Sequence, residues 1–339
     1  MIDFRYHLVS LVAVFLALAV GIVLGAGPLN DTLGHALEKQ TQSLTAQKRD
    51  LQGQVTTLQG QVSYGEDVAA DLVTPTVFGR LTGTRVVVVS APGADTKLVA
   101  SLTKVLGQAG AIVTGHVKID PSYVDPAKAN LVGDLTTHLA PSGVELPSTG
   151  PYDAAGFVLA DALVTSEPLL RGKPDANSQA LFAGFTQAGL LSVTGDVDKR
   201  ADIALVVAPN APDKPTDATN AANDALMPLL VSIDDAGRGE LVAGPEGSAN
   251  TGGLVRAVRD GHDVRREVST DDVANLSSGQ IGTVLGLLEQ FQGGVGHYGN
   301  GPGATEALPR LTPDGVPSPS PSKTPSKSPS KSATSSSSP

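Results

Sequence analysis

The sequence predicts an α/β protein that is anchored to a membrane. Three observations carry this prediction: an uncharged apolar run opens the chain, leucines then recur every seven residues, and β-branched runs afterwards alternate with helical patterns. We expect a transmembrane helix in residues 1–29, a short coiled coil in 30–72, and a mostly parallel-sheet, Rossmann-like extracytoplasmic domain in 73–311. A disordered tail is expected in 312–339.

The apolar run covers residues 8–24 and contains no charged side chain. As a helix it spans roughly 26 Å, close to the roughly 30 Å hydrocarbon core of a bilayer, and it has no polar face to turn toward water. The small residues Gly25 and Gly27 are followed by Pro28, which disfavours cleavage after them. We therefore predict an uncleaved signal anchor.

The charges beside the apolar run predict its orientation. Arg5 and the amino terminus lie before it, whereas Asp31 and Glu38 are the first charged side chains after it. The positive-inside rule places the N-terminus in the cytoplasm and the bulk of the chain outside. The expected location is the cell membrane, with a single pass.

Composition excludes several functions. The formal net charge is −10, which argues against electrostatic binding of nucleic acid. The chain has no cysteine, so disulfides, thiolate metal sites and cysteine nucleophiles are excluded. It has no tryptophan and few other aromatics, so the core must be aliphatic.

The heptad pattern follows the apolar run directly and predicts a parallel coiled coil. Lys48 occupies one of the a positions, where it would restrict register and partner, and Gly53 and Gly60 weaken the helix. The coiled coil could pair with a second copy or with a helix of another protein. The alternative is a single helix that packs back on the next domain. The predicted seam is Leu37, Leu44, Leu51, Val55, Leu58 and Val62.

The remaining patterns predict alternating strands and helices, as in a sheet covered on both faces. Residues 85–91, an Arg-Val-Val-Val-Val-Ser-Ala run, are typical of a buried parallel strand. Ser277 or Ser278 is the expected N-cap of the last helix. The predicted strands are 85–91, 111–119, 190–193, 203–208, 240–243 and 264–268. The predicted helices are 93–110, 126–139, 152–165, 178–188, 216–231, 252–260 and 278–292.

No pattern in the sequence predicts a catalytic or cofactor site. Loops 90–95 and 243–253 follow predicted strands and could hold an anion, but they lack a phosphate-loop lysine, so we interpret both as tight turns. Ser90, His116 and Asp120 could be drawn as a triad, yet we interpret them as unconnected. The acid pairs 234–235 and 271–272 are expected to be turn and cap residues.

Metal ligands are sparse in the sequence. The six histidines are scattered without paired spacing, and the chain holds two methionines and no cysteine. Soft Cu(I) prefers thiolate and thioether ligands, so a dense copper store within this chain is not expected. His297 lies in Gly-Gly-Val-Gly-His-Tyr-Gly, and we interpret it as a loop histidine. The metal-binding residues stay unknown at this stage.

The tail from residue 313 onward is rich in proline, serine and lysine and contains almost nothing apolar. Such a composition cannot offset the conformational entropy lost on folding. We therefore expect a disordered, solvated end.

Three stretches together resemble the MctB family of copper transport outer membrane proteins. They are the opening MIDFRYHLVSLVAVFLALAVGIVLGAGPL, the heptads, and the ending VSTDDVANLSSGQIGTVLGLLEQFQGGVGHYG. The resemblance covers roughly residues 1–300. It implies a role in copper efflux or homeostasis, with a channel-forming protein in the outer membrane and copper as the transported ion. It supplies no catalytic or metal-ligating residues. Similar SteB-like proteins imply the alternative, a coiled-coil scaffold of the envelope that acts in cell separation.

The residues and the resemblance differ on how copper would cross a membrane. Outer-membrane channels are usually β-barrels of alternating strands, whereas this sequence has one apolar helix. A single helix cannot enclose a pore, so conduction would require a homo-oligomer, or the chain would serve as an accessory to an exporter. We expect a non-enzymatic membrane protein of copper homeostasis.

Overall fold

The computed structural model describes residues 4–25 and 29–312, which divide into two compact units after Gly65. In the first unit, helix α1 (Phe4–Gly25) is predominantly apolar and has no buried residue. By length and composition it can cross a membrane. This helix confirms the expected membrane anchor, and the tail predicted for 312–339 lies, apart from Thr312, outside the described residues.

Helix α2 (Leu29–Val77) is 49 residues long and contains the heptads. Its side chains from residue 37 to residue 63 are all exposed. Several of its polar side chains bond within the helix, for example Thr41 Oγ1 to the Leu37 carbonyl at 2.8 Å and Gln54 Nε2 to Asp50 at 2.9 Å. Such bonds between residues four apart follow from helix geometry and satisfy part of its polar surface locally.

The second unit is built on a seven-stranded sheet with the order β3-β2-β1-β4-β5-β6-β7. All neighbouring pairs are parallel except β2 and β3, which are antiparallel. This sheet confirms the predicted α/β class. Its strands are β1 (Arg85–Ser90), β2 (Ile112–Ile119), β3 (Leu191–Gly195), β4 (Ile203–Val207), β5 (Glu240–Ala243), β6 (Ser269–Asp271) and β7 (His297–Tyr298).

Helices cover both faces of the sheet. Val87 and Val89 of β1 pack into one apolar layer, and Val86 and Val88 pack into the other. Burial on both faces explains why this strand is a continuous β-branched run and does not alternate with polar residues. The helices of this unit after α2 are α3 (Thr96–Gln108), α4 (Ala129–Leu139), α5 (Pro151–Leu163), α6 (Ala176–Gln187), α7 (Asp217–Ala236), α8 (Leu254–Asp260) and α9 (Ser277–Phe291).

The last strands differ from the sequence prediction. The expected strand 264–268 is wrong: Val264–Arg266 is a short 3-10 turn, and the strand is Ser269–Asp271. Strand β7 was not predicted at all. Both strands are rich in polar side chains that are nevertheless buried. A hydrophobic pattern cannot reveal such strands, because their buried side chains are polar. Hydrogen bonds to residues far away in the sequence compensate the cost of burying these side chains.

The start of α9 also differs. The predicted serine N-cap is wrong, because the cap position is Leu276 and makes no side-chain cap bond. The Ser277 backbone N–H instead donates to Glu66 Oε1 of α2 at 2.5 Å. A carboxylate at a helix N-terminus satisfies an unpaired donor and complements the helix dipole. The cap is therefore supplied by a residue 211 positions earlier in the chain.

Candidate functional site

A crevice lies at the carboxyl edge of the sheet, where β1 and β4 are neighbours and the chain leaves them in opposite directions. Ligands of open α/β sheets bind at this kind of position. The crevice encloses about 430 Å³, within the usual range for small-molecule sites. The two loops that the sequence singled out, 90–95 and 243–253, both contribute to its wall. Its lining is Ala91, Pro92, Gly93, Asp95, Leu98, Pro209, Asn210, Pro212, Thr219, Ala222, Asn223, Leu226, Pro245, Gly252, Gly253, Leu254 and Asn275.

The wall of the crevice is mostly apolar, with a few neutral amides. Asp95 is its only charged residue, and its Oδ1 caps α3 by accepting from the Lys97 N–H at 2.9 Å. Asn223 Nδ2 donates to the Gly252 carbonyl at 3.0 Å, which leaves its oxygen as an acceptor. None of the described lining residues is a cation that could pair with phosphate. The chemistry therefore suits an uncharged ligand better than a nucleotide.

Ser90 and His116 lie on the neighbouring strands β1 and β2, and Ser90 Oγ is 2.8 Å from His116 Nε2. The interpretation of these two residues as unconnected is therefore wrong. Burial, and secondarily the charge of Lys118, lowers the pKa of His116, which favours the neutral imidazole. Asp120 accepts instead from the Ser122 N–H at 3.4 Å. Within the described structure the pair thus lacks the third group that orients a catalytic histidine.

His297 is not a loop residue, because it forms β7 and is buried. Its Nδ1 lies 3.0 Å from Thr270 Oγ1, and its Nε2 lies 2.9 Å from the Arg265 carbonyl. Burial lowers the pKa of His297 to about 4, and the charges of Arg259 and Arg265 act in the same direction. Both ring nitrogens have protein partners, so this histidine is structural in the folded chain.

Arg259 of α8 is the centre of a buried polar network that the sequence analysis missed. Its guanidinium pairs with Asp272 and also donates to Thr270 Oγ1 at 2.8 Å and to the Tyr298 carbonyl at 2.6 Å. A buried charge is tolerated only when paired and hydrogen-bonded, as here. One signal was available in the sequence: Arg259 is four residues after Val255 and shares its buried helix face.

The expectation that acids 271 and 272 are turn and cap residues is only partly met. Asp271 Oδ1 does accept from the Val273 N–H at 3.0 Å, as a turn residue would. Asp272 is the buried ion-pair partner of Arg259 and also accepts from the Asn300 and Gly301 N–H groups at 2.9 and 3.0 Å. Both side chains thus help to close the last strands of the sheet.

The Gly-Gly-Val-Gly-His-Tyr-Gly ending completes that same network. The Tyr298 hydroxyl donates to the buried carboxylate of Glu289. Gly299 has φ +120°, and a Cβ there would overlap the Asp272 carboxylate. Glycine is therefore required here for two reasons: other residues rarely adopt this φ, and the Asp272 carboxylate leaves no room for a side chain. This ending determines structure at the sheet edge.

The described part of the chain contains no group of three or more histidine, cysteine, aspartate and glutamate side chains arranged to hold a metal ion. In the α/β unit, the histidines outside β7 are engaged separately: His116 with Ser90, His138 with the Asp134 carbonyl at 2.8 Å, and His262 with Asp263 at 2.9 Å.

The six predicted seam residues all lie on α2 and all are exposed, by 50–67% of their surface. They are Leu37, Leu44, Leu51, Val55, Leu58 and Val62. The a/d spacing of a heptad brings such residues onto one stripe of the helix. Exposed apolar side chains in a regular stripe indicate an interaction surface.

These features define a membrane-anchored α/β protein with an exposed heptad helix and a Rossmann-like sheet. The family model described as "Copper transport outer membrane protein, MctB" matches residues 1–309. The chain therefore belongs to the MctB family, as the resemblance predicted.

Relatives match over nearly their whole length. Proteins called "Copper transporter MctB" from Mycobacterium tuberculosis and Mycobacterium bovis are each 33% identical over 311 residues, covering 90% of this chain and 98% of the relative. The protein of that name from Mycobacterium leprae is 35% identical over 315 residues, with the same coverage. The similarity thus extends through the anchor, the heptad helix and the α/β domain.

Proposed function

We propose that this protein acts in copper homeostasis at the cell envelope and lowers internal copper. One observation carries the proposal: the chain is similar to copper transporters of the MctB name over 98% of their length, so the match is not confined to one part of them. A match confined to the α/β domain would support only a shared fold.

The protein would do this as an oligomeric channel or as an accessory to an exporter. A single α1 helix cannot line a pore, because one helix has no enclosed interior. The chain also has no cysteine and only two methionines, the side chains that Cu(I) prefers. Copper passage would therefore depend on several copies or on a partner. The role we propose is not enzymatic, and the similarity to copper transporters supports it.

For the location we propose a single-pass anchor with the N-terminus in the cytoplasm and the α/β domain outside. Arg5 in the first turn of α1 and the acidic residues after α1 support this orientation. Alkaline phosphatase fused after Thr312 should be active, since that enzyme folds only outside the cytoplasm. The family description instead names the outer membrane. Fractionation of inner and outer membranes measures which of these two membranes contains the protein.

The function is tested by deleting the gene and growing the strain across a copper series. Internal copper and cell separation are scored in the same cultures. We expect higher internal copper and stronger growth inhibition, with normal septation, and restoration of both by the intact chain. Chained or branched cells with unchanged copper would overturn the proposal in favour of the cell-separation scaffold, which the comparisons do not favour.

A channel and an accessory are distinguished with purified protein. The protein is reconstituted in liposomes that contain a copper-sensitive dye, and copper entry is compared with that of empty liposomes. Flux from the protein alone supports the channel. No flux, together with copper accumulation in the deletion strain, supports the accessory.

A further inference from the structure

The apolar stripe of α2 is bordered by a regular pattern of neutral side chains. With the leucines 37, 44, 51 and 58 at d, every g position of these heptads is a glutamine: Gln40, Gln47, Gln54 and Gln61. The following e positions are Thr45, Gln52, Gln59 and Glu66. In a parallel pair, each g side chain faces the next e side chain of the partner.

We propose that this face of α2 pairs with the same face of a second copy, as a parallel, in-register two-stranded coiled coil. The proposal stands independently of the copper function.

The flanking residues favour a second copy as the occupant. A glutamine amide both donates and accepts, so Gln47 can bond Gln52 of an identical helix, and Gln54 can bond Gln59 in the same way. Three of the four g–e pairs between two copies carry no charge, and in the fourth the Glu66 carboxylate already accepts from the Ser277 N–H of its own chain. Different partners are usually selected by opposite charges at these positions, and identical partners are rejected by like charges. Neither device is present here.

A shallow depression lies on the proposed seam of α2. Leu44, Gln47, Lys48 and Leu51 form a d-g-a-d set around a shallow depression, which continues along the helix to Val55. In a coiled coil each a or d side chain inserts into a hole made by four residues of the facing helix. The proposed seam therefore contains, from Leu44 to Leu51, a set of four residues of the kind that forms such a hole.

Lys48 selects the number of strands and their register. In register, it would lie opposite its own copy at an a position. A single lysine at such a position is tolerated in a dimer, because its stem packs on the seam while the ammonium reaches water. In a trimer or tetramer the seam is more enclosed, and in a register shifted by one heptad the two lysines would face Val55 and Thr41. The lysine therefore lowers stability but favours the in-register dimer.

The membrane anchor favours the parallel arrangement. Helix α1 ends at Gly25, and the seam begins at Leu37, so two copies anchored in one membrane start their seams at the same level. An antiparallel pair would need the two anchors at opposite ends of the coiled coil. Two copies anchored in the same bilayer cannot form an antiparallel pair, because both anchors lie at the same end of the coiled coil.

Disulfide cross-linking of the full chain in native membranes tests the proposal. The chain has no cysteine, so each introduced thiol is the only one present. Leu37→Cys and Leu58→Cys place a thiol at d near each end of the seam, and Ala46→Cys places one on the outer face. With diamide as oxidant, we expect both d variants to form disulfide-linked dimers at least about ten-fold faster than Ala46→Cys, because d residues of a parallel pair meet across the seam.

The pattern across positions identifies what covers the seam. Cross-linking of neither d variant above the Ala46→Cys control would overturn self-pairing and indicate another protein. Cross-linking at Leu51→Cys but not at Leu37→Cys or Leu58→Cys would overturn the parallel register, since an antiparallel pair brings identical residues together only near its middle.

A charge swap at Lys48 tests the register separately. Chains that carry Leu51→Cys are co-expressed with chains that carry Leu51→Cys and Lys48→Glu, under different tags. We expect the ratio of mixed to same-type dimers to exceed the random ratio several-fold, because opposite charges then face each other at the a position. A random proportion of mixed dimers would contradict the in-register contact of the two lysines.

Discussion

The seam of α2 and the central strands of the sheet use the same apolar residues in opposite ways. Leu51 of α2 is 59% exposed, whereas Leu205 of β4 is completely buried. The α/β unit covers its own apolar side chains with helices on both faces. The first unit has its apolar side chains in two regular arrays, an anchor and a stripe, whose natural cover is lipid or another helix.

The polar residues of the two units show the same contrast. On α2, polar side chains point to water or bond to the preceding turn of their own helix. At β6 and β7 they are buried and bond to partners far away in sequence, such as Asp272 to Arg259 and Asp271 to Thr283. Exposed polar residues therefore follow the helical repeat, whereas buried ones depend on the completed fold.

Breaking the buried ion pair should have the largest effect. Arg259→Met leaves Asp272 buried without its cation, which typically costs about 3–5 kcal/mol of unfolding free energy. Arg256→Met, three residues earlier on α8, breaks only the exposed pair with Asp260 and should cost under about 1 kcal/mol. Urea unfolding of the full chain in detergent measures both. Equal losses would contradict the structural importance of this network.

A matched pair of leucine truncations compares the two units directly. Leu205→Ala opens a cavity in the sheet and should lower the unfolding free energy of the α/β unit by about 2–5 kcal/mol. Leu51→Ala removes an exposed side chain and should leave that transition within about 0.5 kcal/mol of wild type. Urea unfolding is followed by circular dichroism. A large loss from Leu51→Ala would show that the seam is covered by its own chain.

A charge in α1 tests whether lipid covers the first array. Val14→Arg places a cation near the middle of the helix, at a cost of about 2.5–3.5 kcal/mol for insertion. We expect a smaller fraction of the protein to remain in membranes after an alkaline wash, and Val14→Leu should behave as wild type. An unchanged membrane fraction for Val14→Arg would contradict the role of α1 as the anchor.

The smallest effect is expected from a buried acid and depends on pH. Burial is the main cause that raises the pKa of Asp271 to about 7, so the folded chain holds a proton that the unfolded chain releases at lower pH. The stability that this group contributes is present at acidic pH and is lost as the pH rises through about 7. Asp271→Asn keeps the side chain neutral, so its stability relative to wild type should increase between pH 5 and pH 8.

The measurement for Asp271→Asn is urea unfolding at several pH values. The lowered pKa of His297 also contributes a pH dependence, but it is common to both proteins and cancels in their difference. A difference that stays constant across this range would show that Asp271 is ionised throughout.

The sequence predicted those elements whose signal is local. Strand β1 was recognised from its valine run, and the helices from α3 to α9 were found within a few residues of their bounds. Strand β7 and the burial of His297 were not predicted, because Arg259, Thr270 and Asp272 are brought to them only by the fold. The contact of Ser90 with His116 likewise depends on the register of β1 and β2.

By itself the sequence determined the anchor, the heptad stripe, the α/β class and the family, since each is written in composition, in a repeat of fixed period, or in motifs at the two ends of the chain. The tertiary structure alone decided which polar residues are buried, where the crevice lies and what supplies the cap of α9. These depend on pairs of residues distant in sequence, such as Glu66 and Ser277, whose proximity no local pattern encodes.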